Sequence, residues 1–174
     1  MAILPIIIAP DQRLKVTSEP VRRVDDEARR LMDDMLETMY LAPGVGLSAI
    51  QVGVPKRLMV IDVARKGEAA AALRLADPEV IAYSDDVVAM EEGCLSFPEH
   101  YAEVKRPAGV TVGYLDEHNR HQELAADGLL SRCLQHEIDH LDGILLVDHL
   151  SAIRRGMILR KLLKARKATA LKSA

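Results

Sequence analysis

The chain has 174 residues, 49% hydrophobic and 28% charged, and a net charge of −3. That length suits one well-buried core, the composition excludes a disordered or fibrous chain, and the charge gives no global argument for binding DNA or other nucleic acid. Two cysteines, Cys94 and Cys133, are too few for a disulfide framework and fit a reducing, cytoplasmic setting.

The apolar opening from Ile3 to Ala9 is broken by Pro5 and lacks a basic leader. It is far shorter than the roughly 20 residues that span a bilayer, so no signal peptide or membrane helix is expected. From Asp25 to Leu41 the residues Ala28, Leu31, Met32, Met35, Leu36 and Met39 recur at helical spacing. This predicts an amphipathic helix capped by Asp25 or Asp26 and stopped before Pro43, its Met stripe covering the core. A loop from Pro43 to Gly46 leads to an apolar strand at Leu58 to Val63. Short strands are predicted at Val80 to Tyr83, Val87 to Met90, Val110 to Leu115 and Gln122 to Leu124, with a surface excursion at Gly67 to Ala72. A second helix runs from Leu129 to about Leu141, with Asp127 as N-cap and Gly143 past its end. A third covers Ser151 to about Lys167. Helix, strands, helix, helix predicts a single compact α+β domain rather than alternating βαβ units.

The most specific signal is His136-Glu137-Ile138-Asp139-His140. Two imidazoles four residues apart share a helix face about 6 Å apart along the axis and can converge on one metal. Glu137 sits one step round, placed to work on a water rather than to ligate. Cys133 lies about 10 Å along the axis from His140, too far for both to bond one ion with His136 between them, and reads as a small buried apolar residue. Cys94, between Gly93 and Leu95 in a loop stiffened by Pro98, is left as the third ligand. One thiolate and two imidazoles leave a position open, as catalytic sites do.

With these residues assembled, the chain resembles the peptide deformylase family in three segments: residues 44–51 (Gly-Val-Gly-Leu-Ser-Ala-Ile-Gln), residues 92–96 (Glu-Gly-Cys-Leu-Ser) and residues 135–140 (Gln-His-Glu-Ile-Asp-His). The resemblance implies antiparallel or mixed sheets around a central H-E-x-x-H helix, and removal of the formyl group from N-formylmethionyl nascent peptides. It implies Cys94, His136 and His140 as metal ligands and Glu137 as acid/base. Gln51 and the Leu95 amide then contact the formyl oxygen. It favours Fe(II) in the cell, although Zn(II), Ni(II) and Co(II) suit the same ligands. Ser48 stands where Ala is frequent in the family, a difference expected to be neutral.

Candidates for the Met pocket are Val45, Gly46, Met90, Leu129 and Cys133, each of which also reads as a plain core residue. Residues 44–46 can pair with an extended peptide as an added strand. The rival reading is a zinc metallopeptidase of the H-E-x-x-H type, but Leu146 stands where a third His is required and no Glu follows Glu137. A closed, non-catalytic metal site would need a fourth ligand from His100, His118, His121 or His149. Residues 1–150 are read as the catalytic domain and 151–174 as a basic helix and tail. In the tail an apolar stripe of Ile153, Met157, Leu159 and Leu162 or Leu163 leaves Arg154, Arg155, Arg160, Lys161, Lys164, Arg166, Lys167 and Lys172 on a face that is either merely solvated or docks on ribosomal RNA.

Overall fold

The computed structural model describes residues 2–64 and 67–172, with side chains through 168. In chain order it contains α1 (Asp26–Leu41), β1 (Gly46–Ser48), β2 (Leu58–Ile61), β3 (Leu73–Tyr83), β4 (Val87–Gly93), β5 (Tyr101–Pro107), β6 (Val110–Leu115), β7 (His121–Ala126), α2 (Gly128–Leu141) and α3 (Ala152–Lys172). Five strands form an antiparallel sheet in the order β1-β2-β3-β6-β7, while β4 and β5 form a separate hairpin. This is the α+β architecture expected from the sequence, and the H-E-x-x-H helix lies inside it.

The apolar run of β2 explains the layering. All four of its residues are buried. Leu58 and Val60 pack with the Met32, Met35 and Met39 stripe of α1, whereas Met59 and Ile61 pack with Leu134, Ile138 and Leu141 of α2. Because strand side chains alternate, the two helices cover opposite faces of the sheet. Ten of the fourteen α2 residues are buried, so its polar groups are internal and need partners.

Several boundaries differ from the predicted ones for identifiable reasons. Asp25 caps α1 by accepting from the Ala28 amide at 2.8 Å, but the Asp127 side chain makes no such bond. The chain enters α2 through Gly128 at φ 53°, which is not the approach of a regular cap. Strand β5 was not predicted, because its inward positions are Ala102, Val104 and Arg106, and a charged residue on the buried face hides the alternation. β1, with three residues, is too short to show a period. β3 starts at Leu73, seven residues before the predicted strand.

Helix α3 meets the body over a narrower strip than expected. Leu162 is buried and Ile158 and Leu159 are partly buried beside Phe97 and Leu146, but Ile153, Met157 and Leu163 are exposed. The stripe therefore runs through Ile158, Leu159 and Leu162, not through Ile153 and Met157. Residues 163–168 are all exposed. Among the described residues no helix is long and apolar enough to cross a membrane.

The end of α2 depends on Gly143, whose φ is 74° and whose absent side chain makes room for the chain near Lys15: a Cβ there would stand 2.5 Å from the Lys15 carbonyl oxygen. Gly143→Ala is expected to cost more than about 1 kcal/mol, since left-handed backbone and a backbone clash act together. Urea unfolding should show a lower midpoint at unchanged slope.

Candidate metal centre

Cys94 follows directly on β4, and His136 and His140 lie one turn apart on α2. The Cys94 Sγ and one ring nitrogen of each histidine all fall within 4.8 Å of one another. Sγ is 3.1 Å from His140 Nε2, and the two imidazoles stand edge to face with centroids 4.9 Å apart. Each Cys94, His136 and His140 donor is thus close enough to the others to share one divalent ion, at the roughly 2.0–2.3 Å bonds such ligands make. Among the described residues no fourth His, Cys, Asp or Glu joins the cluster, so the closed, four-ligand alternative has no support.

The loop holding Cys94 is anchored on both sides. The Phe97 amide donates to the Cys94 carbonyl at 2.9 Å, and the Phe97 ring is fully buried. The N-terminal segment ties this loop to the turn at Ala49–Val52, because the Ala9 amide donates to Ser96 O (2.9 Å) and the Ile7 amide to Gln51 O (2.7 Å). Gln51 is buried, with Oε1 accepting from the Ser48 amide at 2.9 Å. Its donor end, Nε2, therefore points to Ser96 Oγ at 3.1 Å and Cys94 Sγ at 3.7 Å.

Glu137 is buried against β1. Its Oε2 lies 2.6 Å from Ser48 Oγ, which also contacts the Glu137 carbonyl oxygen at 2.9 Å. Burial raises the Glu137 carboxyl above its ordinary range, against the pull of His136 and the Ser48 hydroxyl. Gly46 permits this contact between strand and helix, since a Cβ there would lie 2.6 Å from both Glu137 Oε1 and Cys133 Sγ. Cys133 is outside the metal cluster, donates to the Val45 carbonyl at 3.6 Å, and has its thiol pushed well up by burial and by the charges of Glu137 and Glu92. It is a neutral apolar neighbour.

Sequence reasoning missed the groups that hold His136. Glu92, Arg106 and Arg132 form a buried ion cluster: Arg106 Nε and Nη2 reach Glu92 at 2.7 and 3.1 Å, and Arg132 Nη1 reaches it at 2.6 Å. The second Glu92 oxygen receives His136 Nδ1 at 3.1 Å, which leaves Nε2 as the nitrogen free to ligate. Burial alone would raise the Glu92 carboxyl, but the His136 bond and the Arg106 pair hold it down to about 2. Arg106 Nη1 also binds Asp139 at 2.7 Å, and His149 Nε2 meets the same Asp139 oxygen at 2.8 Å. The available signal was Arg106 at an inward position of an alternating strand.

Protonation reflects the local charge. Burial pushes both imidazoles down; at His136 the Cys94 charge and the Glu92 bond overcome this and hold the ring well above its ordinary value, while His140, beside His136 and Arg106, falls well below. The surroundings of His136 stabilise positive charge, as a cation site requires. A cavity of about 430 Å³ opens beside the cluster, lined among others by Val45, Gly46, Cys94, Leu95, Leu129, Cys133 and Glu137. Met90 is the one pocket candidate that does not line it: the strand carries Met90 about 13 Å from Cys94 at roughly 3.3 Å per residue, and its side chain is exposed.

Comparison with known proteins agrees with this geometry. The family model described as polypeptide deformylase matches residues 3–156. The chain belongs to that family. It is 54% identical to the peptide deformylase of Agrobacterium fabrum over 97% of its own length and 99% of the relative's. It is 51% identical to that of Rhizobium meliloti over 99% of each. The crystal structure of the Ehrlichia chaffeensis peptide deformylase superimposes with a TM-score of 0.92 at 37% identity, covering 97% and 99% of the two chains. The family's reaction is this chain's reaction: metal-dependent hydrolysis of the formyl amide of N-formylmethionyl peptides. The metallopeptidase alternative falls with it.

Because Glu92 both charges the site and orients His136, Glu92→Gln is expected to weaken divalent metal binding by about 10- to 100-fold, the usual cost of losing a ligand's outer partner. Metal titration of the apo chain checks this, and an unchanged affinity would remove Glu92 from the centre.

Proposed function

We propose that Cys94, His136 and His140 hold one divalent metal ion, with Glu137, Gln51 and Leu95 acting on the formyl group beside it. The observation that carries this reading is the convergence of one thiol and two imidazoles beside a cavity whose wall includes Cys94, His136 and Glu137. When bound, the ion supplies Lewis acidity that polarises the formyl carbonyl and brings the pKa of water toward neutrality. Family resemblance favours Fe(II), and the same donor set accepts Zn(II), Ni(II) or Co(II).

Glu137 takes a proton from the attacking water and returns it to the departing amine, a task suited to a buried carboxyl with a raised pKa. Gln51 Nε2, its amide already oriented by the Ser48 N–H, donates to the oxygen that gains charge. The Leu95 N–H follows Cys94 in the chain and supplies the second donor. The Met side chain enters the cavity lined by Val45, Gly46, Leu129 and Cys133, while residues 44–46 pair with the peptide backbone. Glu137→Ala is expected to reduce formate release from a formyl-Met peptide to background with one metal per chain retained. Loss of the metal in that variant would show that Glu137 ligates instead.

The reading assigns catalysis to residues 1–150 and ribosome docking to 151–174, with the enzyme acting in the cytoplasm, a place its two free thiols suit. Arg154, Arg160, Lys161, Lys164, Arg166 and Lys167 are exposed, and no acidic residue follows Asp148. Arg155 pairs with Asp148 at 3.2 Å, and the Lys172 side chain lies outside the described residues. Since Leu162 belongs to the core, removing the helix would disturb the fold, and substitution is the cleaner test. A chain carrying Lys161→Glu, Lys164→Glu and Lys167→Glu is expected to lose salt-sensitive co-sedimentation with ribosomes yet keep activity on short formyl-Met peptides. Equal sedimentation of the two chains would end the docking idea.

A further inference from the structure

We infer that Ser48 is a positioning residue for this reaction, holding the proton carrier with its side chain and the oxyanion donor with its backbone. The inference rests on the roles proposed above for Glu137 and Gln51. Ser48 is fully buried at the end of β1, where its backbone pairs with Met59 and its hydroxyl faces α2. Its Oγ is 2.6 Å from Glu137 Oε2 and 2.9 Å from the Glu137 carbonyl oxygen. Its amide donates to Gln51 Oε1 at 2.9 Å. One residue thus touches both groups that work on the formyl carbon.

The hydroxyl is suited to this because it has one hydrogen and two lone pairs. Toward a carboxylate, Ser48 donates its hydrogen to Oε2. When Glu137 takes the proton on its other carboxyl oxygen, Oε2 keeps its lone pairs and still accepts from Ser48. The contact survives proton transfer with no heavy atom displaced, so the carboxyl stays aimed throughout. An alanine has the same backbone amide and would still hold Gln51, but it offers Glu137 nothing. Only the proton carrier is released.

Ser48→Ala removes one oxygen from a buried site, keeps the β1 pairing, and can be compared directly with the parent as the metal-loaded enzyme. The expected result is a fall in kcat of about tenfold on a formyl-Met peptide, the effect of one hydrogen bond to a charged group. KM should stay within about twofold, with one metal per chain, because binding and ligation do not use the hydroxyl. An unchanged kcat would overturn the inference. So would a loss of kcat that merely tracks lost metal or lost folded protein, since that is a structural effect. Glu137→Ala, assayed beside it, separates the two levels: if that variant stays active, the role given to Glu137 is wrong, whereas an inactive Glu137→Ala with a fully active Ser48→Ala rejects only the role given to Ser48.

Discussion

The site depends on one buried carboxylate. Glu92 sits where β4 passes α2, almost without solvent, and a lone charge there would cost several kcal/mol. Three cationic or proton-donating partners from two elements offset that cost: Arg106 from β5, and Arg132 and His136 from α2. Such a cluster adds little net stability over an apolar one, but it tolerates few other arrangements. It fixes the β4–β5 hairpin on α2, and so places Cys94, which follows β4, against His140. The Asp139 and His149 contacts extend the same network one turn further along α2.

A second constraint is the close approach of β1 to α2. Gly46 has no side chain to hold them apart, and the space it leaves is filled by Glu137 and Cys133. Glu137, the proposed general base, therefore lies between a strand and a helix rather than on a loop, with Ser48 as its neighbour. Rigid elements on both sides keep a reactive carboxyl aimed, which is what proton transfer in a confined site requires. The opposite wall, residues 94–98, is a loop, but Phe97 and the bond from Ala9 hold it to the core.

These two contacts divide the molecule by task. On the α1 side of the sheet the Met stripe packs into an apolar core. The α2 side carries every proposed metal ligand and proton carrier. Helix α3 rests on a third cluster around Phe97 and Leu162, and residues 163–168 beyond it are exposed. That cluster also holds Phe97 and the partly buried Cys94, so it joins α3 to the loop at the site.

How much was legible in the sequence follows from how far apart the interacting residues lie. Helices α1 and α2 were readable from periodicity, and the His136–His140 pair from helical spacing, because these relations are local and set by backbone geometry alone. The exclusion of Cys133 as a ligand was readable for the same reason. Cys94 was reached from the number of cysteines and from resemblance, but no local rule could show it within bonding range of His140, 46 residues away. The Glu92–Arg106–Arg132 cluster and the Ser48–Glu137 bond were not legible, since each joins residues whose separation in the chain carries no information about distance. Strand β5 was hidden by the same cluster: an inward Arg looks like surface until its partner is known. The sequence by itself determined the helices, the chemistry of the donors and the family. Only the tertiary structure decided which charges are buried together, because desolvation and pairing depend on contacts made after the chain has closed on itself.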